Sequence, residues 1–244
     1  SFEMPAGVVA WGVTRATDGA IVLADADGLL RSGRGRVTDA AGNWSVPVAW
    51  TVDIAPLWRG ALSIRFGATP ADAIRGTLDV SRADVTARDV EATVPAAIVE
   101  TWLPPIVALR AGGEIAIASP ELVLGRHDAR GHSTTRWSRG HATARWSPAR
   151  LADSRASVID FGVLSANVDA RDEGIVAKLA NAGGDTLISG DIRVGDTRID
   201  ADVTVTQRSS APSPLLGMIA PFGAAVAGGG TRFSYHGPWQ GARR

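Results

Sequence analysis

Apolar and polar residues alternate along much of this chain with a period of two. From Trp44 the even positions read Trp44, Val46, Val48, Trp50, Val52 and Ile54, and the odd ones Ser45, Pro47, Ala49, Thr51 and Asp53. Successive side chains of a strand point to opposite faces, so this stretch is a strand with one apolar face. Leu62, Ile64 and Phe66 do the same against Ser63 and Arg65, and Ile199, Ala201, Val203 and Val205 against Arg198, Asp200, Asp202 and Thr204. Turn signals such as DADG, AAGN, RDEG and NAGGD separate the runs at short intervals, which predicts about a dozen antiparallel strands. Pro47 lacks an N–H and places its part of the strand at an edge or a bulge.

Three short apolar segments carry proline near a helical first position, at 4–16, 94–105 and 213–226, and are expected as helices capping the sheet. The fold class is therefore mainly β: a long, bent antiparallel sheet, groove-forming or a partly open barrel, with two or three short capping helices. An internal repeat runs through it. Pro5, Ala6, Val8 and Val9 lie on Pro95, Ala96, Ile98 and Val99, and then Gly19, Ile21, Leu23 and Leu30 lie on Gly113, Ile115, Ile117 and Leu124. One domain spanning 1–244 is expected, with duplicated blocks 4–93 and 94–207 and a helix-strand cap at 208–244.

Composition narrows the chemistry. Twenty-five basic residues balance 25 acidic ones, so no global field recruits nucleic acid, which is not expected as a partner. There is no cysteine, which excludes disulfides, thiolate metal sites and a cysteine nucleophile. The histidines His127, His132, His141 and His236 do not form an HExxH pattern. His127, Asp128 and His132 could meet at a metal, but a polar turn accounts for them and no fourth ligand is evident. Asp25 and Asp27 in DADG suit a turn closed by Gly28 better than a calcium loop, which needs further oxygen ligands. No GxSxG elbow occurs. No catalytic residue, metal or cofactor is assigned, and the chain is read as non-enzymatic.

Two surfaces are candidates for contact. The apolar wall made by Trp44, Val46, Val48, Trp50, Val52, Leu62, Ile64 and Phe66 would be sandwich core if covered, and a partner or lipid site if open. The segment 126–155 holds seven arginines against Asp128 and Asp153, with Trp137 and Trp146 interleaved. Arg136, Trp137, Arg139, Arg145 and Trp146 are its candidate patch for an anionic partner or headgroup, the plainer reading being a solvated strand face.

Four stretches stand in a telling order: DADGLLRSGRGRV, VAWTVDIAPLWRGALSIRF, VPAAIVETWLPPIVALRAGGEIAIASPELVL and the closing TRFSYHG. With them the chain resembles the type II secretion system protein N (GspN) family over nearly its whole length. The resemblance implies an accessory component of the bacterial secretion apparatus, tethered by one N-terminal inner-membrane helix ahead of Ser1, with its bulk in the periplasm. Partners would be the outer-membrane secretin and inner-membrane platform subunits. The family is also similar to AsmA-like proteins, whose bent sheets form apolar grooves, so a lipid-binding groove protein is the alternative. A hydrolase is the third reading and would need a cleft with convergent carboxylates.

Overall fold

Strands joined by short turns pair most simply with their neighbours in sequence, and antiparallel. The structure, a computed structural model, describes residues 6–7, 14, 19, 21–53, 55, 60–67, 69, 72–81, 84–101, 109–129, 132–153, 157–171, 174–195, 198–208, 217, 221, 223–227 and 229–238. Side chains at 21, 101, 124–129, 132–138 and 238 lie outside that description. The first strands are β1 (Ile21–Leu29), β2 (Ser32–Asp39), β3 (Ser45–Asp53), β4 (Leu62–Phe66), β5 (Ile74–Val80) and β6 (Asp84–Pro95). A 3-10 helix, Ala96–Thr101, leads to β7 (Arg110–Ala129), β8 (His132–Ala152), β9 (Val158–Arg171) and β10 (Gly174–Ala182). The chain closes with β11 (Thr186–Val194), β12 (Arg198–Gln207), β13 (Ala224–Val226) and β14 (Gly230–Pro238). Among the described residues all fourteen belong to one open sheet, in sequence order except that β14 lies between β12 and β13.

The core lies on one face of this sheet, in three apolar clusters. Trp44 and Val46 of β3 cluster with Val94 of β6. Neighbouring strands sit about 4.8 Å apart, so β3 and β6 would be separated by about 14 Å in a flat sheet. Contact between their side chains means that the sheet curls on itself there, over the short β4. A second cluster joins Leu23, Val48, Trp50 and Val52 to Ala6, and a third joins Trp146, Ala149, Ile159, Phe161 and Ile188 to Ala96 of the 3-10 helix. In the second half of the sheet Asn181 acts as a polar clasp. Its Nδ2 donates to Phe161 O at 2.7 Å and Thr186 O at 2.8 Å, while its Oδ1 accepts from Ile188 N at 2.7 Å.

Pro47 sits where its missing N–H costs nothing. The Val52 N–H donates toward β2, to Arg31 O at 2.7 Å, and Ala49 O accepts from the Gly67 N–H on the β4 side at 3.0 Å. Odd positions of β3 therefore direct their backbone groups toward β4, which pairs only with Trp50–Asp53. Among the described residues that flank of Pro47 is an edge.

The helix expectations need correction. At 94–105, Val94 and Pro95 complete β6, paired with Ile115 and Glu114, and the helix that follows is a 3-10 turn from Ala96. Strand pairing and an inward-facing Val94 outweigh the proline signal, and the rest of that segment, 102–105, lies outside the described residues. At 213–226, Ala224–Val226 is strand β13, because β14 offers it a backbone ladder. Of 4–16 only Ala6, Gly7 and Thr14 are described, Gly7 and Thr14 as helical. Among the described residues no helix is long and apolar enough to cross a membrane.

The two stretches matched in sequence have matching irregularities. Pairing slips between Ala24 and Asp27 of β1 and between Ala118 and Glu121 of β7, positions 94 residues apart in both cases (118 − 24 and 121 − 27). Each slip sets two residues against one on the partner strand, one more than regular pairing allows, which is a β-bulge. Across from the second residue past each bulge stands a glycine: Gly33 opposite Gly28, and Gly140 opposite Leu122. A Cβ on Gly33 would lie 2.8 Å from Asp27 O, and one on Gly140 2.6 Å from Glu121 O. Both blocks need a bare backbone at the same spot.

Candidate interaction surfaces

The alternation along β3 places its even side chains on the inner face, and that face is filled. Trp44, Val46, Val48, Trp50 and Val52 are 2% to 8% exposed. Leu62, Ile64 and Phe66 of β4 are half-buried beside them, with Ile64 opposite Val52 and Phe66 opposite Trp50. The Trp50 indole lies over Gly33, and its Nε1–H donates to Leu30 O at 3.1 Å. Trp44 Nε1 is buried and has no partner among the described residues. The wall is thus core in this conformation, and a lipid or partner would reach it only by displacing what is packed there. Ile54 and Trp58 lie outside the described residues.

The basic patch divides between two faces. Arg139 and Arg145 are exposed, but Trp146 points inward and is 8% exposed. Its ring packs against Phe161 at 6.5 Å between centroids, and its Nε1–H donates to Gly112 O at 2.8 Å. Trp146 therefore leaves the patch and joins the core, because it follows Arg145 directly and neighbours on a strand face opposite ways. The side chains of Arg136 and Trp137 lie outside the described ones. Their backbone pairs with Gly125 and Leu124 of β7.

Backbone pairing shows where this segment stands. β6 pairs with β7 only as far as Gly125, and β9 with β8 only from Gly140. Beyond those points the β7–β8 hairpin continues as a two-stranded ribbon, with Ala129 opposite His132. Residues 126–139 carry Arg126, Arg130, Arg136 and Arg139 against Asp128, a formal charge of +3 in a chain whose total is zero. His127, Asp128 and His132 all fall in this ribbon, where their side chains are outside the described ones. Among the described residues no group of three or more acidic or histidine side chains is placed to hold a metal.

The outer face carries cross-strand ion pairs that the sequence reading did not single out. Arg75 pairs with Glu91, Arg88 with Asp79, and Arg150 with Asp160 at 3.3 Å. His141 meets Asp169 at 3.0 Å. Alternation of opposite charges at facing positions would have signalled them had the register been known. Along β12 and β14 they form a ladder: Asp200 holds His236 and Arg198, each at 2.9 Å, and Asp202 holds Arg232 at 2.9 Å and the Ser234 hydroxyl. Hydrogen bonds from Arg232 and then Ser234 pull the Asp202 carboxyl down to about 2, and those from His236 and Arg198 lower that of Asp200. Such exposed pairs add little stability individually.

A shallow depression of about 340 Å³ crosses β5 to β8, lined among others by Asp72, Arg75, Glu91 and Arg145. Its acidic groups are engaged: Glu91 with Arg75, and Asp72 with the Thr69 N–H at 2.7 Å.

The family model described as Type II secretion system (T2SS), protein N, matches residues 19–234, a span from β1 into β14. No curated protein and no solved structure matches the chain.

Proposed function

Starting from the fact that this chain belongs to the type II secretion system protein N family, we propose that it serves type II secretion as a periplasmic interaction and scaffold domain. Family membership makes it an accessory component of that export system and gives it a place in the cell envelope. The proposal adds the mode of action. The domain binds other secretion components, among them the outer-membrane secretin and the inner-membrane platform subunits, and a single inner-membrane helix tethers it. It carries out no reaction.

The observation behind this reading is the open sheet. A sheet of this length that does not close leaves backbone groups unpaired at its margins, and extended segments of partners add to such margins as further strands. Among the described residues the ribbon at the end of β7 and β8 extends past the strands paired on either side of it with a net positive charge, which suits an anionic partner surface through Arg136 and Arg139, with Arg145 exposed further along β8.

Capture of purified secretin and platform subunits on the immobilised domain tests the proposal. Retention of at least one of them, weakened by Arg136→Glu with Arg139→Glu, is the expected result. No retention of any subunit, together with undiminished export from a strain lacking the protein, would falsify it.

A further inference from the structure

Val94, Ile115 and Trp146 point into the core, so their neighbours along each strand, Thr93, Ala116 and Arg145, point to the outer face. There β7 carries two small side chains in succession, Ala116 and Ala118, between taller ones on β6 and β8. Thr93 and Arg145 flank Ala116, and Glu91 and Thr143 flank Ala118. The flanking strands are about 10 Å apart and the two rows about 7 Å apart along the strand. The alanines are thus the floor, and their neighbours the walls, of the depression of about 340 Å³ that crosses β5 to β8. Both alanines are exposed, so the floor is open to solvent.

The polar groups around this floor are unevenly used. Arg75 holds Glu91 through Oε2 alone, with its Nε–H and an Nη2–H, and Glu91 Oε1 has no hydrogen-bond partner among the described residues. Asp72 accepts from the Thr69 N–H. The Arg145 guanidinium has neither an ion-pair nor a hydrogen-bond partner among the described residues, and the hydroxyls of Thr93 and Thr143 have none either. One cation, two hydroxyls and one carboxylate oxygen therefore stand around an apolar floor with nothing to bind.

We infer that the depression receives an acidic side chain of a partner protein. Its carboxylate lies over Ala116, between the Arg145 guanidinium and the Thr93 hydroxyl, and a backbone N–H of the same segment donates to Glu91 Oε1. A guanidinium presents two parallel N–H donors to a carboxylate, which makes this pairing directional as well as electrostatic. Asp72 and Glu91 line the same depression as Arg75 and Arg145, so its charges balance. A monoanion with an N–H beside it suits that balance, and a phosphate dianion does not.

The shape favours a side chain borne on a protein over a free small acid. Small-molecule sites enclose most of their ligand, and this depression lies at the small end of their range and is open on top. A free acid would stay largely in water, whereas a partner covers its own side chain. Arg139 and Arg145 face the same way along β8, about 20 Å apart, so the depression continues the basic surface of the ribbon. The inference rests on the partner reading for the source of the carboxylate and on the geometry alone for the site.

Titration of the isotope-labelled chain with the blocked peptide acetyl-Ala-Glu-Ala-amide, followed by amide chemical shifts, tests it. Saturable shifts at Thr93, Ala116 and Arg145 are expected, with a dissociation constant on the order of 1 mM. Arg145→Gln should weaken binding about fivefold or more. Ala116→Leu, which fills the floor, should abolish it. Both positions are exposed, so neither change should alter the β-sheet circular dichroism. The matching glutamine peptide should not bind. Absence of a saturable shift up to about 20 mM of the glutamate peptide overturns the inference. So does equal binding of the two peptides, or tighter binding of inorganic phosphate. Capture of secretion subunits separates this site from the partner reading. Retention left unchanged by Arg145→Gln and Ala116→Leu overturns the site alone, and peptide binding without retention of any subunit upholds the site and counts against the partner reading.

Discussion

The blocks β1–β3 and β7–β9 share a backbone device and fill it differently. Each has a bulge at matching positions, a glycine across from the second residue past it, and a buried alanine in the segment ahead, Ala6 at 2% and Ala96 at 0% exposure. In the first block the space over Gly33 is taken by the Trp50 indole. In the second the residue opposite Gly140 is Ala170, also buried, and the large rings Trp146 and Phe161 lie further along β8 and β9. The difference shows that the bulge belongs to the backbone, while the side chains above it are free to change. Position matters as well: at β1 the bulge finishes a margin of the sheet, whereas at β7 it sits between two paired strands.

The comparison breaks most visibly at Trp50. Trp50→Ala empties the space above Gly33 and leaves Leu30 O without its donor, and a loss of about 3–5 kcal/mol is expected from a buried tryptophan. Urea unfolding followed by circular dichroism measures it. Ala170→Gly, the change at the corresponding place in the second block, should cost only about 1 kcal/mol, mainly through strand entropy and one buried methyl. Equal losses at the two positions would show that the blocks are not filled differently.

A smaller effect sharpens the shared part. Gly33→Ala and Gly140→Ala each push a methyl group against a backbone carbonyl that the bulge holds in place, and Gly140 also has φ 150°. Both should destabilise by about 1–3 kcal/mol. Gly33→Ala should lose much of its cost when combined with Trp50→Ala, because the overlap with the ring disappears. Gly140→Ala should be indifferent to that change. Thermal unfolding of the single and double variants decides this, and coupling at Gly140 as strong as at Gly33 would contradict the structure.

The smallest effect belongs to the outer face, along the β12–β14 ladder. The Asp202 carboxyl is held at about 2, below its usual 3.8, by Arg232 and Ser234. A carboxyl with a lowered folded-state value contributes stability that is present above the usual value and lost as the pH falls toward the lowered one. The unfolding temperature should therefore drop between about pH 4 and pH 2, and Asp202→Asn should flatten part of that drop while moving the neutral-pH value little. An acid limb unchanged by Asp202→Asn would count against the ladder.

Much of this could be read from the alternation of residues. The face of β3 from Trp44 to Val52, the multi-stranded antiparallel class and the edge at Pro47 all follow from local rules, because a strand's two faces and a proline's missing donor are properties of single residues. Helix signals were less dependable. Proline ahead of an apolar run marks 94–105 and 213–226 as helices, yet Val94–Pro95 and Ala224–Val226 are strands, since a neighbouring ladder offers backbone bonds that outweigh intrinsic preference. The patch at Arg136–Trp146 mixed two faces, because its two tryptophans look alike in sequence and only the strand geometry sends Trp146 inward.

What the chain determined by itself is thus periodicity: which residues share a face, where a strand must turn, and which chemistries lack their atoms. Register and closure were decided only in three dimensions. Whether the wall from Trp44 to Val52 would be covered depended on how far the sheet curled, and a twist of roughly 20° between neighbouring strands, summed over fourteen strands, settles that.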